Sequence, residues 1–275
     1  MKGLIVRSLP ILLGLVLAGR ADGRGLLVSP SQVGLAGEPG TTVSETIYVS
    51  SSREEKNFVQ VGISDFTRDE NGQVREIAAA GAPRSCREWL EVDRMNFTSP
   101  EQGRIQLTVR GRIPQGAAGS YWALVTLKSI PPPRQGGSGH GFRVVPRVAI
   151  PVIITALSGE ERTMKISELK VVSATPRELS VEAILENHGN VAVLFNGAFT
   201  LNSTDANGRL TELAEAPVDM AMSLPGTRSR VRGTIAWDGT LDGLRLQSIF
   251  RFGPDQKDIV EAGVNVDAER IDESS

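Results

Sequence analysis

From Leu26 onward the chain repeats one pattern: short runs of alternating apolar and polar residues, broken by Gly, Pro, Asn and Asp. Successive side chains of a strand point to opposite faces, so this alternation predicts β-strands with one buried face. Leu26 to Pro30 opens the series, and Gly37-Glu38-Pro39-Gly40 reads as a turn. Val43, Ile47 and Val49 share one parity, as do Val59, Val61 and Ile63, and then Ile105, Leu107 and Val109. Asn71-Gly72 is a strong hairpin signal. Ile77 to Ser85 is small and polar and reads as a loop, and Trp89 to Val92 starts another strand. Tyr121, Ala123, Val125 and Leu127 follow on one parity, with Gly119-Ser120-Tyr121 placed like a tyrosine corner. About seven strands at this spacing, with no sustained helical period, predict a β-sandwich.

One stretch stands out by length. In Phe142 to Thr155 the even positions Phe142, Val144, Pro146, Val148, Ile150, Val152 and Ile154 are all apolar, while Arg143 and Arg147 sit among the odd ones. An apolar ridge of this length exceeds the common strand of about 5–6 residues. Pro146 and Pro151 cannot donate to a ladder, which predicts an edge strand or a bent one. Such a ridge is either half of a core or a surface offered to another chain.

Around Ser158 to Thr163 the chain turns polar, and strand-like runs then resume. Leu179, Val181, Ala183 and Leu185 alternate with polar neighbours, Asn187 to Asn190 is a turn, and Asn207-Gly208 marks another hairpin. Leu224-Pro225-Gly226 is a further turn. Val231, Ile235, Leu244, Leu246, Phe250, Phe252, Val264 and Val266 mark the closing strands. The expected fold class is therefore all-β, two β-sandwich domains in tandem. The first spans 22–158, a linker 159–164, the second 165–268, and a flexible tail 269–275. No internal repeat is apparent beyond the general likeness of the halves.

Composition adds the compartment. Met1, Lys2 and Arg7 precede the apolar Leu9 to Ala18 and the small residues Ala18, Gly19 and Ala21, the layout of a secretory signal peptide over 1–21. Cleavage would remove three of 30 basic residues and none of 32 acidic ones, leaving 27 against 32 and a formal charge of −5. That balance gives no electrostatic footprint for nucleic acid. No second long apolar run follows, so the mature chain is expected to be exported, periplasmic or otherwise secreted or on the cell surface, without a membrane span.

Candidate chemistry is sparse. Cys86 is single, which excludes an intrachain disulfide and reads as a small buried hydrophobe. The two histidines, His140 and His188, lack partners in sequence for a zinc site or a nucleophile. Asp65, Asp69 and Glu70 cluster at a hairpin, and Asn96-Phe97-Thr98 and Asn202-Ser203-Thr204 match a glycosylation sequon. No phosphate-binding loop, dinucleotide fingerprint or nucleophile elbow is present. The chain is expected to bind rather than to catalyse, with no cofactor and no metal.

The order Tyr121-Trp122-Ala123-Leu124-Val125, Ile130-Pro131-Pro132, a loop and then the long alternating strand resembles the PapD-like periplasmic pilus-assembly chaperones. The resemblance covers roughly residues 26 to 157. It implies two immunoglobulin-like domains, with the last strand of the first lending alternating apolar side chains to a pilin-like or surface-fibre subunit. Phe142, Val144, Val148, Ile150, Val152 and Ile154 would be the partner-binding set. Those chaperones also anchor the subunit's carboxylate with an arginine in the first strand and a lysine late in the long one. Here Leu26 to Leu35 holds no arginine and Pro151 stands where the lysine belongs, so no carboxylate site is carried over. A second resemblance competes. Val28-Ser29-Pro30-Ser31, the turn at 37–40, Trp89-Leu90 and the run from Pro114 to Tyr121 are similar to WxL-interacting surface proteins, which implies a secreted envelope- or cell-wall-binding module.

Overall fold

A computed structural model describes residues 26–51, 56–77, 82–99, 103–130, 132 and 145–266. Among them the regular structure is strand, with two single-turn 3-10 segments. The signal-peptide, 133–144 and tail assignments lie outside the described residues.

The first unit holds β1 (Leu26–Ser29), β2 (Val33–Gly37), β3 (Thr42–Ser51), β4 (Phe58–Arg68), β5 (Val74–Ile77), β6 (Leu90–Val92), β7 (Asn96–Thr98), β8 (Ile105–Arg112), β9 (Gly119–Ile130) and β10 (Arg147–Ala156). They form two sheets, β1-β3-β8-β6 and β2-β10-β9-β4-β5, with β7 paired to β4. The chain changes sheets after the cis Ser29–Pro30 bond: β1 pairs with β3 in one sheet and β2 with β10 in the other. Between the sheets lies the core that the alternation foretold, including Ile47, Val49, Val59, Val61, Leu107, Val109, Ala123, Val125 and Leu127.

The second unit holds β11 (Met164–Thr175), β12 (Glu178–Asn187), β13 (Val193–Thr204), β14 (Leu210–Ser223), β15 (Arg228–Ala236), β16 (Leu244–Phe252) and β17 (Asp258–Asn265). Its sheets are β11-β12-β15 and β14-β13-β16-β17. Phe250 sits at the centre of this core, meeting Phe195 and Phe199 edge-on at centroid distances of 6.0 and 5.8 Å. Edge-to-face rings set the positive rim of one against the negative face of the next, which adds to the area they bury.

A third, smaller apolar cluster joins the two units. Phe66, Trp122, Leu124 and Ile153, from the outer face of the first unit's sheet, pack with Leu224 from the turn between β14 and β15. Ala192 and Met222 close over it. The Trp122 indole N–H, buried here, donates to the Phe66 carbonyl at 3.0 Å. Without that acceptor the buried donor would cost about 1–3 kcal/mol.

Candidate functional site

The long strand is where the sequence and the structure diverge most. The described part of this stretch forms β10, Arg147–Ala156. Phe142 and Val144 lie outside the described residues. Ile150, Val152 and Ile154 are fully buried, and Val148 is half-buried against the same core. These four even-numbered side chains point between the two sheets of their own sandwich. The apolar ridge is thus half of a core, and the expectation that Ile150, Val152 and Ile154 are offered to a partner is corrected. The physical reason is the sheet behind them: β3 and β8 supply Ile47, Leu107 and Val109 to the same cluster.

The main chain of β10 behaves differently from its side chains. Along its whole length one edge pairs with β9, from Arg147↔Lys128 to Ala156↔Gly119. The other edge pairs with β2 only from Val152↔Val33 to Ala156↔Gly37, in parallel. Among the described residues no strand lies beside Arg147 to Pro151 on that side. The strand is interior for its second half and an edge for its first.

The ladder with β9 shows which groups are left over. Ser129 N–H donates to the Pro146 carbonyl at 2.9 Å, so 146 and 129 form a hydrogen-bonded pair. Antiparallel ladders alternate such pairs with non-bonded ones. Residues 148, 150 and 152 therefore bond to β9, whereas Arg147, Ala149 and Pro151 turn their backbone groups to the open edge. Pro151 fits this parity, because its missing N–H costs the β9 ladder nothing. Arg147 and Ala149 each present an N–H and a C=O to the opening.

The side chains beside the opening are apolar or charged. Val74, Glu76, Leu124, Arg147, Ala149 and Pro151 line a groove of about 290 Å³ on the outer face of the sheet. A second groove of about 430 Å³ continues past Arg147 over Gln60, Gly62, Thr126 and Lys128. Arg147 pairs with Glu76, Nη2 to Oε1 at 2.7 Å. The hydrogen bond from Arg147 holds the Glu76 carboxyl below the usual carboxylate range.

Other singled-out residues take structural places. Cys86 is buried, and loss of solvent together with the nearby Asp65 charge pushes its thiol pKa up, which keeps it unreactive. Asp65 accepts from the Ser85 hydroxyl at 2.5 Å. His188 lies 3.0 Å from Glu186 in an exposed turn, and His140 is outside the described residues. Tyr121 packs against Trp89, with ring centroids 4.3 Å apart and planes tilted by 49°, and lies under the Arg84 guanidinium. Among the described residues no group of three or more His, Cys, Asp or Glu could hold a metal ion.

What the sequence reading missed is Ala149. The signal was present in Pro151: its missing N–H is harmless only on the side away from the β9 ladder, and Ala149 shares that parity.

No known family's sequence profile matches the chain, and no curated protein sequence matches it. Solved structures similar to this chain include several chaperones. The YadV chaperone is 10% identical, covering 88% of this chain and 100% of its own, with a TM-score of 0.44. The Class 5 fimbriae chaperone CfaA is 10% identical, covering 86% and 98%, with a TM-score of 0.44. The E. coli chaperone DraB is 12% identical, covering 88% and 97%, with a TM-score of 0.39. Likeness at this level says nothing about what this chain binds.

Proposed function

We propose that this is an exported, non-enzymatic chaperone-like protein that holds a segment of another polypeptide, a subunit of a surface fibre, as an added strand on the open half of β10. The observation that carries this reading is the edge of β10 at Arg147 to Pro151, unpaired among the described residues although the strand's other edge is paired along its whole length. An unpaired strand edge is a template for another chain, and strand addition takes its affinity from main-chain hydrogen bonds and its selectivity from flanking grooves. The grooves beside Ala149 and Arg147 would receive the outward side chains of that segment. Export rests on the signal-peptide layout of residues 1–21.

Ile150→Asp would place a charge inside the first core and unfold it, so it cannot test binding. Ala149→Pro can: like Pro151, it removes an edge donor without breaking a β9 bond. With a photo-crosslinking residue at Arg147, the wild-type protein should cross-link a polypeptide of the cell envelope. The folded Ala149→Pro form should lose that product. Equal cross-linking by both, or an equal yield from a crosslinker at Tyr48 on the opposite sheet, sinks the reading.

A further inference from the structure

The chain contains the same hairpin twice. Asp69-Glu70-Asn71-Gly72-Gln73 joins β4 to β5, and Asp205-Ala206-Asn207-Gly208-Arg209 joins β13 to β14. Each aspartate carboxylate accepts from the amides two and four residues on: Asn71 and Gln73 at 3.0 Å each, Asn207 at 2.9 Å and Arg209 at 2.8 Å. In each turn the glycine N–H reaches back to the aspartate carbonyl, at 2.9 and 3.0 Å, and each aspartate N–H donates to the residue that closes the turn, at 3.0 Å. Both glycines take the left-handed conformation, φ 78°. The turns differ mainly at their second position, Glu70 against Ala206.

That position builds nothing within the turn, since the second copy closes identically with alanine. In the first copy it faces the other unit. The Glu70 carbonyl accepts the Arg230 backbone N–H at 2.6 Å, on the free edge of β15. Its carboxylate takes Arg230 Nη2 at 2.8 Å, with Arg228 Nε at 3.5 Å. Arg230 Nη1 binds Glu182 at 2.9 Å, a carboxylate side chain only 4% exposed that also holds Arg232 Nε at 3.0 Å. The guanidinium is therefore fixed from behind by its own unit and presented to the hairpin of the other.

We infer that Glu70 is a dedicated clamp residue, by which the tip of the first hairpin docks onto the edge of β15 and sets the orientation of the second sandwich. A carboxylate that meets two arginines also selects their geometry, because a planar guanidinium binds in a fixed direction. The clamp is a separate attachment from the other polar junction, where Ser120 N–H donates to Asn190 C=O at 2.8 Å. Two attachments, together with the apolar cluster, restrain rotation as one alone would not.

The test is amide exchange on the full chain as Glu70→Ala and Glu70→Lys. Ala206 shows that the turn tolerates alanine, so Asn71 and Gln73 should keep their protection in both variants. The Arg230 amide reports docking, and its exchange should rise severalfold in Glu70→Ala and by about tenfold or more in Glu70→Lys, where like charges meet. Wild-type protection of Arg230 in Glu70→Lys would overturn the inference, and so would loss of Asn71 protection in Glu70→Ala, which would make Glu70 part of the turn. Neither readout depends on what β10 binds.

Discussion

At the scale of single residues, backbone contacts and buried charges decide most outcomes. Gly119 has φ 74°, and a side chain there would collide with the Asn190 carbonyl. Gly119→Ala should destabilise the chain by about 1–3 kcal/mol, combining left-handed strain with a displaced inter-unit hydrogen bond, as measured by denaturant unfolding. Glu182 is the other sensitive point. Burial raises its pKa, but hydrogen bonds from Arg232 and Arg230, with the charges of Arg230 and Lys170, outweigh that and hold it low. Glu76 is held low as well, chiefly by Arg147. A carboxyl depressed in the folded state contributes stability above its unfolded pKa of about 4, and that contribution is lost as pH falls through the lowered value. Unfolding midpoints should therefore fall as pH drops from about 5 towards 3, and Glu182→Gln should flatten that slope. An unchanged slope would remove Glu182 from the account.

At the scale of elements, legibility followed contrast. The strands with Val, Ile and Leu on one parity, such as Val59-Val61-Ile63, were readable because one face meets a core and the other meets water. β11 and β14 were not. In β14 the inward positions are Ala214, Ala216 and Val218, with Pro217 between, and its exposed residues include Leu210, Leu213 and Met220. Small inward residues and apolar outward ones cancel the alternation. The twin hairpins were visible as two Asn-Gly turns, yet their common Asp cap, and the odd Glu70, needed the hydrogen bonds to be seen. Asp69→Ala and Asp205→Ala should each lower the unfolding midpoint by removing two amide bonds to the carboxylate, and Asp69→Ala also removes an exposed ion pair with Arg75. A much larger loss for Asp69 alone is expected only if the clamp also fails. For β10, sequence located the strand and its apolar parity, but parity cannot tell a covered ridge from an offered one. That depends on β3 and β8, more than thirty residues away.

At the scale of the whole chain, two sandwiches are joined by an apolar cluster and two sets of polar contacts. If these act together, the units should unfold in one transition, and Glu70→Lys should separate them into two in a calorimetric scan. A single unshifted transition in that variant would show that Phe66, Trp122, Leu124, Ile153 and Leu224 suffice to couple them. Such coupling matters for the proposed function because a rigid frame presents the open half of β10 in a fixed setting, which lowers the ordering cost of binding. The central claim, that a partner's strand is added at this edge, is tested most directly by the Ala149 amide. It has no acceptor among the described residues. In the free protein it should exchange within the fastest class of strand amides. In the complex with the polypeptide cross-linked at Arg147, it should become protected together with the Arg147 amide. Exchange at Ala149 that is equally fast with and without the bound polypeptide would contradict strand addition at β10.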